Sequence, residues 1–145
     1  MKFVLLSQAF YDKYSECKEI LKKKDRPYCV MLLQVNDINF AIPFRSHIKH
    51  KYAFFTNKAE LAGLDYTKTV VIDINTDIDM VRRAFIREDE YKNLLGEDYE
   101  VQRGFLRFIK RYKKALRKPD LPENKYLVQA SALQYFEDVI KSILV

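Results

Sequence analysis

The chain has 145 residues, of which 48% are apolar, and this is enough to build one domain around a single hydrophobic core. Its 32% charged residues coexist with ten Phe and ten Tyr, which excludes a disordered tail. The net charge of +6 favours a polyanionic partner: RNA, DNA or an anionic membrane surface. No apolar stretch approaches the ~20 residues of a membrane span, so we expect one cytoplasmic domain over residues 1–145.

The first half of the chain predicts a small sheet and one helix. Residues 1–6 form a short apolar run typical of a buried strand, and helical spacing then joins Phe10, Tyr14, Cys17 and Leu21. Further strands are predicted at residues 28–35, 40–43, 51–56 and 69–74. The turn residues 36–39 join the strand at 28–35 and the strand at 40–43 as a hairpin. Because proline cannot donate to a ladder, we expect the third strand to end or bend at Pro43.

The second half predicts helices. One should start at Asp77, bury Ile78, Val81 and Phe85, and stop at Gly96. The next carries an apolar stripe from Val101 to Leu116 and is ended by the prolines at 119 and 122. A last one should begin at Ser131, which forms a capping-box pair with Gln134.

These elements predict an α+β fold, with an antiparallel sheet curled into a partial barrel and helices packed outside it. The two cysteines, Cys17 on the first predicted helix and Cys29 at a strand start, are interpreted as small buried apolar residues in a reducing compartment.

The most unusual segment spans residues 43–51. It holds both histidines of the chain, His47 and His50, together with Ser46 and the cations Arg45, Lys49 and Lys51. Loops after strands are common places for binding and catalytic groups. The structural alternative is a solvated basic loop without chemistry.

Three chemistries compete for this segment. A metal site is disfavoured because three cations surround the histidines and no carboxylate lies nearby in the sequence. A serine hydrolase would need a glycine-flanked elbow and an acid to orient its histidine, and the segment has neither. RNA cleavage by the substrate's own 2'-OH fits better, since histidine can exchange protons near neutral pH and the cations can offset charge on the phosphate.

A second basic feature is the face of the helix predicted over residues 101–116. Its cations are Arg103, Arg107, Lys110, Arg111, Lys113, Lys114, Arg117 and Lys118, and no acid follows Glu100 in the run. The structural alternative is that these side chains serve solubility and cover the core edge. The functional interpretation is a track for an RNA backbone, to which Tyr28, His50 and Lys51 would add contacts.

The segment Pro43-Phe44-Arg45-Ser46-His47-Ile48-Lys49 resembles the endoribonuclease toxins of type III toxin–antitoxin systems, most closely the TenpN branch of the ToxN/CptN/AbiQ family. In ToxN the corresponding residues are Pro-Leu-Thr-Ser-Pro-x-Lys, so Ser46 and Lys49 are the direct matches. Arg45 and His47 stand where that pattern has Thr and Pro. Arg26 falls near another functional basic residue of ToxN.

The resemblance implies a compact fold similar to the MazF and Kid toxins. It also implies metal-independent endoribonuclease activity without a cofactor, leaving 2',3'-cyclic phosphate and 5'-hydroxyl ends. The expected partners are a small repeat RNA antitoxin, in a toxin–RNA hetero-oligomer, and a cellular or phage RNA substrate, but neither DNA nor a membrane. Ser46, His47 and Lys49 would carry the chemistry, assisted by Arg45, Arg26 and His50.

Two other functions are kept open. The first is a non-catalytic RNA-binding regulator that uses the same basic surface. The second comes from the spacing Arg45-x-x-x-x-His50, which matches the pattern of HEPN ribonucleases. Because that class is wholly helical, strands before residue 75 would exclude it.

Overall fold

The computed structural model describes residues 1–22 and 28–145. In this part of the chain a six-stranded antiparallel sheet packs with helices, as the α+β prediction required. The strands are β1 Lys2–Leu5, β2 Cys29–Val35, β3 Ile38–Arg45, β4 Ala53–Asn57, β5 Ala62–Asp65 and β6 Val70–Ile72. The helices are α1 Gln8–Lys13, α2 Glu88–Leu94, α3 Asp98–Arg117, α4 Pro122–Ala130 and α5 Glu137–Ser142, with 3-10 turns at Tyr66–Lys68 and Ala132–Phe136.

Strand β3 organises the sheet. It pairs with β2 along one side through a two-residue turn, Asn36-Asp37, whose φ angles of 49° and 64° are those of a type I' hairpin. On its other side it pairs first with β6 and then with β5, giving the order β1-β2-β3-β5-β4 with β6 branching from β3. The sheet is curled but is not closed into a barrel.

Of the two outcomes predicted at Pro43, an end or a bend of the strand, the end is wrong. Strand β3 continues to Arg45, and Pro43 lies between Ala41, which pairs with β6, and Phe44, which pairs with β5. A residue without an N–H is tolerated where the strand changes partner. The continuation carries Arg45 to the edge where Ser46 begins a loop.

Helix α3 covers the sheet with the predicted apolar stripe. Phe105 packs edge-on against Phe40 of β3, with ring centroids 4.9 Å apart, and Tyr112 is fully buried. Gly104 allows a close approach, because a Cβ there would lie 2.5 Å from the Tyr66 hydroxyl. That hydroxyl donates to the Val101 carbonyl at 2.8 Å and ties the 3-10 turn after β5 to α3.

The helix predicted from Asp77 is wrong, since α2 begins at Glu88. The Asp79 carboxylate accepts hydrogen bonds from the backbone N–H groups of Val81 and Arg82, each at 2.9 Å, and so stabilises a local turn. Val81 and Phe85, expected in the core, are 92% and 90% exposed. The stop at Gly96 is confirmed by its φ of 76°.

Other predicted ends also shift. Helix α1 ends at Lys13, which leaves Cys17 outside it, and β5 was not predicted. Pro122 follows the end of α3 but also opens α4, and residues from 132 form a 3-10 turn before α5. Ser131 caps that turn, yet Gln134 donates to the Ser131 carbonyl instead of completing a capping box. Within the described residues no helix has the length and apolar content to cross a membrane.

Candidate functional site

The loop after β3 is fixed to the neighbouring 60–61 turn by its backbone. The N–H groups of His47 and Ile48 donate to the carbonyls of Glu60 and Leu61 at 3.3 and 2.9 Å. Ile48 is buried, while Ser46, His47 and Lys49 are exposed on either side of it. The loop is therefore an anchored platform that presents three polar side chains.

The loop and the turn that anchors it each contain one residue with a strained backbone. His47 and Leu61 have φ angles of 57° and 52°, in the left-handed region that side chains other than Gly seldom adopt. Each such residue costs on the order of 1–3 kcal/mol and persists only where its surroundings enforce it. Strain of this kind concentrates at binding and catalytic sites, and here it borders Ser46.

A buried carboxylate organises the cations around the loop. Asp65, at the end of β5, is fully buried and accepts from Arg45 Nη1 at 2.9 Å. His50 Nε2 lies 3.2 Å from the same carboxylate, and the Thr67 hydroxyl donates to it at 2.6 Å. Burial alone would raise the pKa of Asp65, but the hydrogen bonds from His50 and Thr67 and the nearby charges hold that pKa below its usual range.

The position of His50 is set by both of its ring nitrogens. Nδ1 accepts the backbone N–H of Tyr52 at 3.0 Å, so Nε2 carries the proton that faces Asp65. A ring engaged at both ends orients Asp65 and, through it, Arg45. The structure thus gives His50 a positioning contact within the chain.

Arg45 and Ser46 open into a cleft of about 290 Å³, here called the Ser46 cleft. Tyr28, another residue selected from the sequence, lines it as well. The opposite wall comes from the segment that leads into α2 and includes Phe85, Arg87 and Glu90. Arg87 is held by Glu60 at 2.7 Å and by Asp89 at 3.0 Å.

Glu90, like Asp65, was not predicted from the sequence. It lies in the first turn of α2, is only 8% exposed, and lines the Ser46 cleft. Burial, reinforced by the charge of Asp89, raises the pKa of its carboxyl, against the opposing effects of Arg87 and a hydrogen bond with Thr56. Glu90 lies four residues before the buried Leu94, and this spacing places both side chains on one face of a helix. The spacing was the sequence signal that could have indicated a buried Glu90.

The predicted basic face of α3 borders a second cavity, the α3–β4 groove, of about 480 Å³. Lys51, Arg107 and Arg111 line it together with the aromatic rings of Tyr52, Phe54, Tyr66 and Phe108. Arg103 is paired with Glu100 at 3.5 Å, and Lys110 and Lys114 are exposed on the helix. Lys113 instead donates to the Ile143 carbonyl and so serves the fold.

The structure brings some predicted residues together and separates others. Tyr28, Arg45 and Ser46 share the Ser46 cleft, and Lys51, Arg107 and Arg111 share the groove. His47 and Lys49 stand on the exposed loop beside the cleft and are not among its lining residues. Arg26 lies outside the described residues.

Cys29 begins β2, as predicted, and also lines the cleft. Burial and the nearby Glu90 charge raise the pKa of its thiol to about 12, which keeps the sulfur protonated and unreactive. Across residues 1–22 and 28–145 no three His, Cys, Asp or Glu side chains are grouped as metal ligands. The six strands exclude the wholly helical HEPN alternative.

Comparisons of the chain with models of protein families, with curated proteins and with solved structures find no match.

Proposed function

We propose that this protein is an endoribonuclease toxin of the type III toxin–antitoxin class, cutting RNA through the substrate's own 2'-OH. The observation that carries the proposal is the meeting of Arg45, Ser46 and a buried Glu90 in one cleft. These groups supply a cation, a hydroxyl donor and a carboxyl with a raised pKa at the place where the toxin-like segment lies. That combination suits a phosphate flanked by two proton transfers.

Arg45 and Ser46 are assigned to the phosphate. One Arg45 nitrogen is committed to Asp65, but a guanidinium has five N–H donors, so the others are available to non-bridging oxygens. The exposed Ser46 hydroxyl donates to the same group. Because Asp65 fixes the guanidinium beforehand, little reorganisation is needed when negative charge grows on the phosphate.

Glu90, which lines the cleft, and His47, on the exposed loop beside it, are assigned to the proton transfers, and Lys49 of the same loop to the leaving side. The 2'-OH loses its proton to a base while its oxygen forms a bond to phosphorus, and the bond to the 5'-oxygen breaks as an acid protonates it. The products are a 2',3'-cyclic phosphate and a 5'-hydroxyl end. Burial favours the protonated form of the Glu90 carboxyl by raising its pKa, which suits this group to donate a proton, and an imidazole is a common general acid or base in enzymes.

The α3 face and the α3–β4 groove are assigned to the flanking RNA and to a repeat RNA antitoxin. Lys51, Arg107 and Arg111 line the groove beside the half-buried rings of Tyr52 and Phe54, and cations next to partly accessible aromatic rings favour single-stranded RNA. The net charge of +6 adds long-range attraction. Such binding would form a toxin–RNA hetero-oligomer in the cytoplasm.

A second candidate is a non-catalytic RNA-binding regulator. Two observations favour it: both ring nitrogens of His50 have partners within the chain, and His47 is not among the lining residues of the cleft. In that case the basic surface would bind RNA and leave it intact.

The test compares Ser46→Ala with the matched control Ser142→Ala, an exposed serine that bonds the Val139 carbonyl on α5. Purified proteins are incubated with single-stranded RNA in excess EDTA, and the products are separated on a denaturing gel. We expect cleavage by the wild type and by Ser142→Ala, and its loss in Ser46→Ala. Tight RNA binding without cleavage by the wild type would establish the regulator instead.

A further inference from the structure

The segment that walls the Ser46 cleft presents apolar side chains to solvent. Met80, Val81 and Phe85 are 85%, 92% and 90% exposed, although their spacing resembles the buried face of a helix. The segment is nevertheless held at both ends. The Asp79 backbone N–H donates to Leu5 at 2.8 Å, and Arg87 bonds Glu60.

Phe85 differs from Met80 and Val81 in its location. It lines the Ser46 cleft together with Arg45 and Ser46, whereas Met80 and Val81 do not. Its neighbour Ile86 packs against the main core, which fixes the backbone at the rim of the cleft. An aromatic ring is therefore held in solvent within the cavity to which we assign the phosphate.

The ring and the donors beside it define what fits on it. The nearby cations are largely paired, Arg82 with Asp79, Arg87 with Glu60 and Asp89, and Arg45 with Asp65. Arg45 nevertheless has N–H donors beyond the one bonded to Asp65, and Ser46 lines the same cleft as the ring. An unpaired nucleotide matches this arrangement, because it offers a flat base to the ring and a phosphate to these donors.

We propose that Phe85 is the stacking platform for one unpaired base of the RNA whose phosphate lies in the Ser46 cleft, so that it selects single-stranded substrate. The inference rests on the proposed function and adds the residue that positions the nucleotide. A base inside a duplex is already stacked on both faces and cannot cover the ring. Because every base has a π-face, the position requires a base but tolerates any of the four.

Stacking of this kind is worth ~1–3 kcal/mol per base, which corresponds to about 5- to 150-fold in affinity. We expect Phe85→Ala to lose that much affinity for a short single-stranded oligoribonucleotide, measured by fluorescence anisotropy in a Ser46→Ala background that keeps the RNA intact. Phe85→Trp should retain binding. Val81→Ala, which removes an equally exposed apolar side chain outside the cleft, is the matched control.

A scan of single abasic nucleotides along the same oligonucleotide completes the experiment. One abasic position should weaken binding to the Phe85 protein and have no further effect on Phe85→Ala, because both changes remove the same contact. Additive losses at every position would overturn the inference, as would Phe85→Ala binding like the control while the wild type cleaves RNA. If neither protein binds RNA at all, the proposed function falls together with the platform.

Discussion

Replacement of Asp65 by Asn probes the network that holds Arg45 in place. The change keeps the shape of the side chain but removes the charge that faces Arg45 and His50 at 2.9 and 3.2 Å. Breaking a buried charge pair costs ~3–5 kcal/mol. Arg45 and His50 are each about one third exposed, at 32% and 31%, so water can solvate them in part and we expect ~2–3 kcal/mol instead.

For a chain of this size such a loss lowers the melting temperature by about 5–10 °C. Thermal unfolding followed by circular dichroism measures it, with the exposed Asp120→Asn as the matched control. Cleavage of RNA should also fall, because Arg45 is no longer oriented. A melting temperature within about 1 °C of the wild type would show that the network does not stabilise the fold as we describe.

The pH dependence of this effect has a definite sign. The pKa of Asp65 is lowered in the folded protein, so its contribution to stability is complete above the unfolded pKa of about 3.9 and is lost as pH falls through the lower folded value. The stability difference between wild type and Asp65→Asn should therefore be full at pH 7 and should shrink below about pH 4. A constant difference down to pH 2 would contradict the assignment.

Three further predictions concern the core, the cleft and the groove. Gly104→Ala places a Cβ 2.5 Å from the Tyr66 hydroxyl and displaces the hydrogen bond of that hydroxyl to Val101. Urea unfolding should therefore show that the free energy of unfolding falls by ~1–3 kcal/mol, whereas substitution of the exposed Gln102 by Ala should change it little. Glu90→Gln should keep or raise the melting temperature at pH 7, because a raised pKa means that the folded protein disfavours ionised Glu90. The same substitution should lower the rate of RNA cleavage. A marked fall in the melting temperature would show that Glu90 has a structural role. Replacing Arg107, Arg111 and Lys114 by Gln should flatten the slope of log affinity against log salt by roughly 0.7 per lost phosphate contact, and an unchanged slope would remove these residues from the RNA interface.

The sequence predicts elements well where one periodic signal dominates. The apolar stripe of α3 and the hairpin around residues 36–39 are both confirmed, although the turn itself is only Asn36-Asp37 and β3 already starts at Ile38. Nothing local competes there with helical burial or with the type I' turn. The segment from Asp77 shows the opposite case. Its apolar spacing favours a helix, but the Asp79 carboxylate satisfies the first N–H groups in a turn, and the apolar residues remain in solvent.

The site was predictable where its residues are consecutive in sequence. Arg45 and Ser46 are neighbours at the end of β3, but Asp65 and Glu90 come from β5 and α2. They come near only because β5 pairs with β3 and α2 packs on β4. Strand β5 is short and contains Gly63, over which Phe54 packs so closely that a Cβ would lie 2.1 Å from its carbonyl oxygen. Such a strand has few β-branched residues to mark it.

The central claim is that the Ser46 cleft cuts RNA by means of the substrate's own 2'-OH. The most direct measurement uses a short single-stranded RNA that the protein cuts at one bond, and the same RNA with deoxyribose in the nucleotide 5' to that bond. We predict cleavage of the first to 2',3'-cyclic phosphate and 5'-hydroxyl ends by mass spectrometry, and resistance of the second. Equal cleavage of both, or products with 3'-hydroxyl and 5'-phosphate ends, would contradict the mechanism.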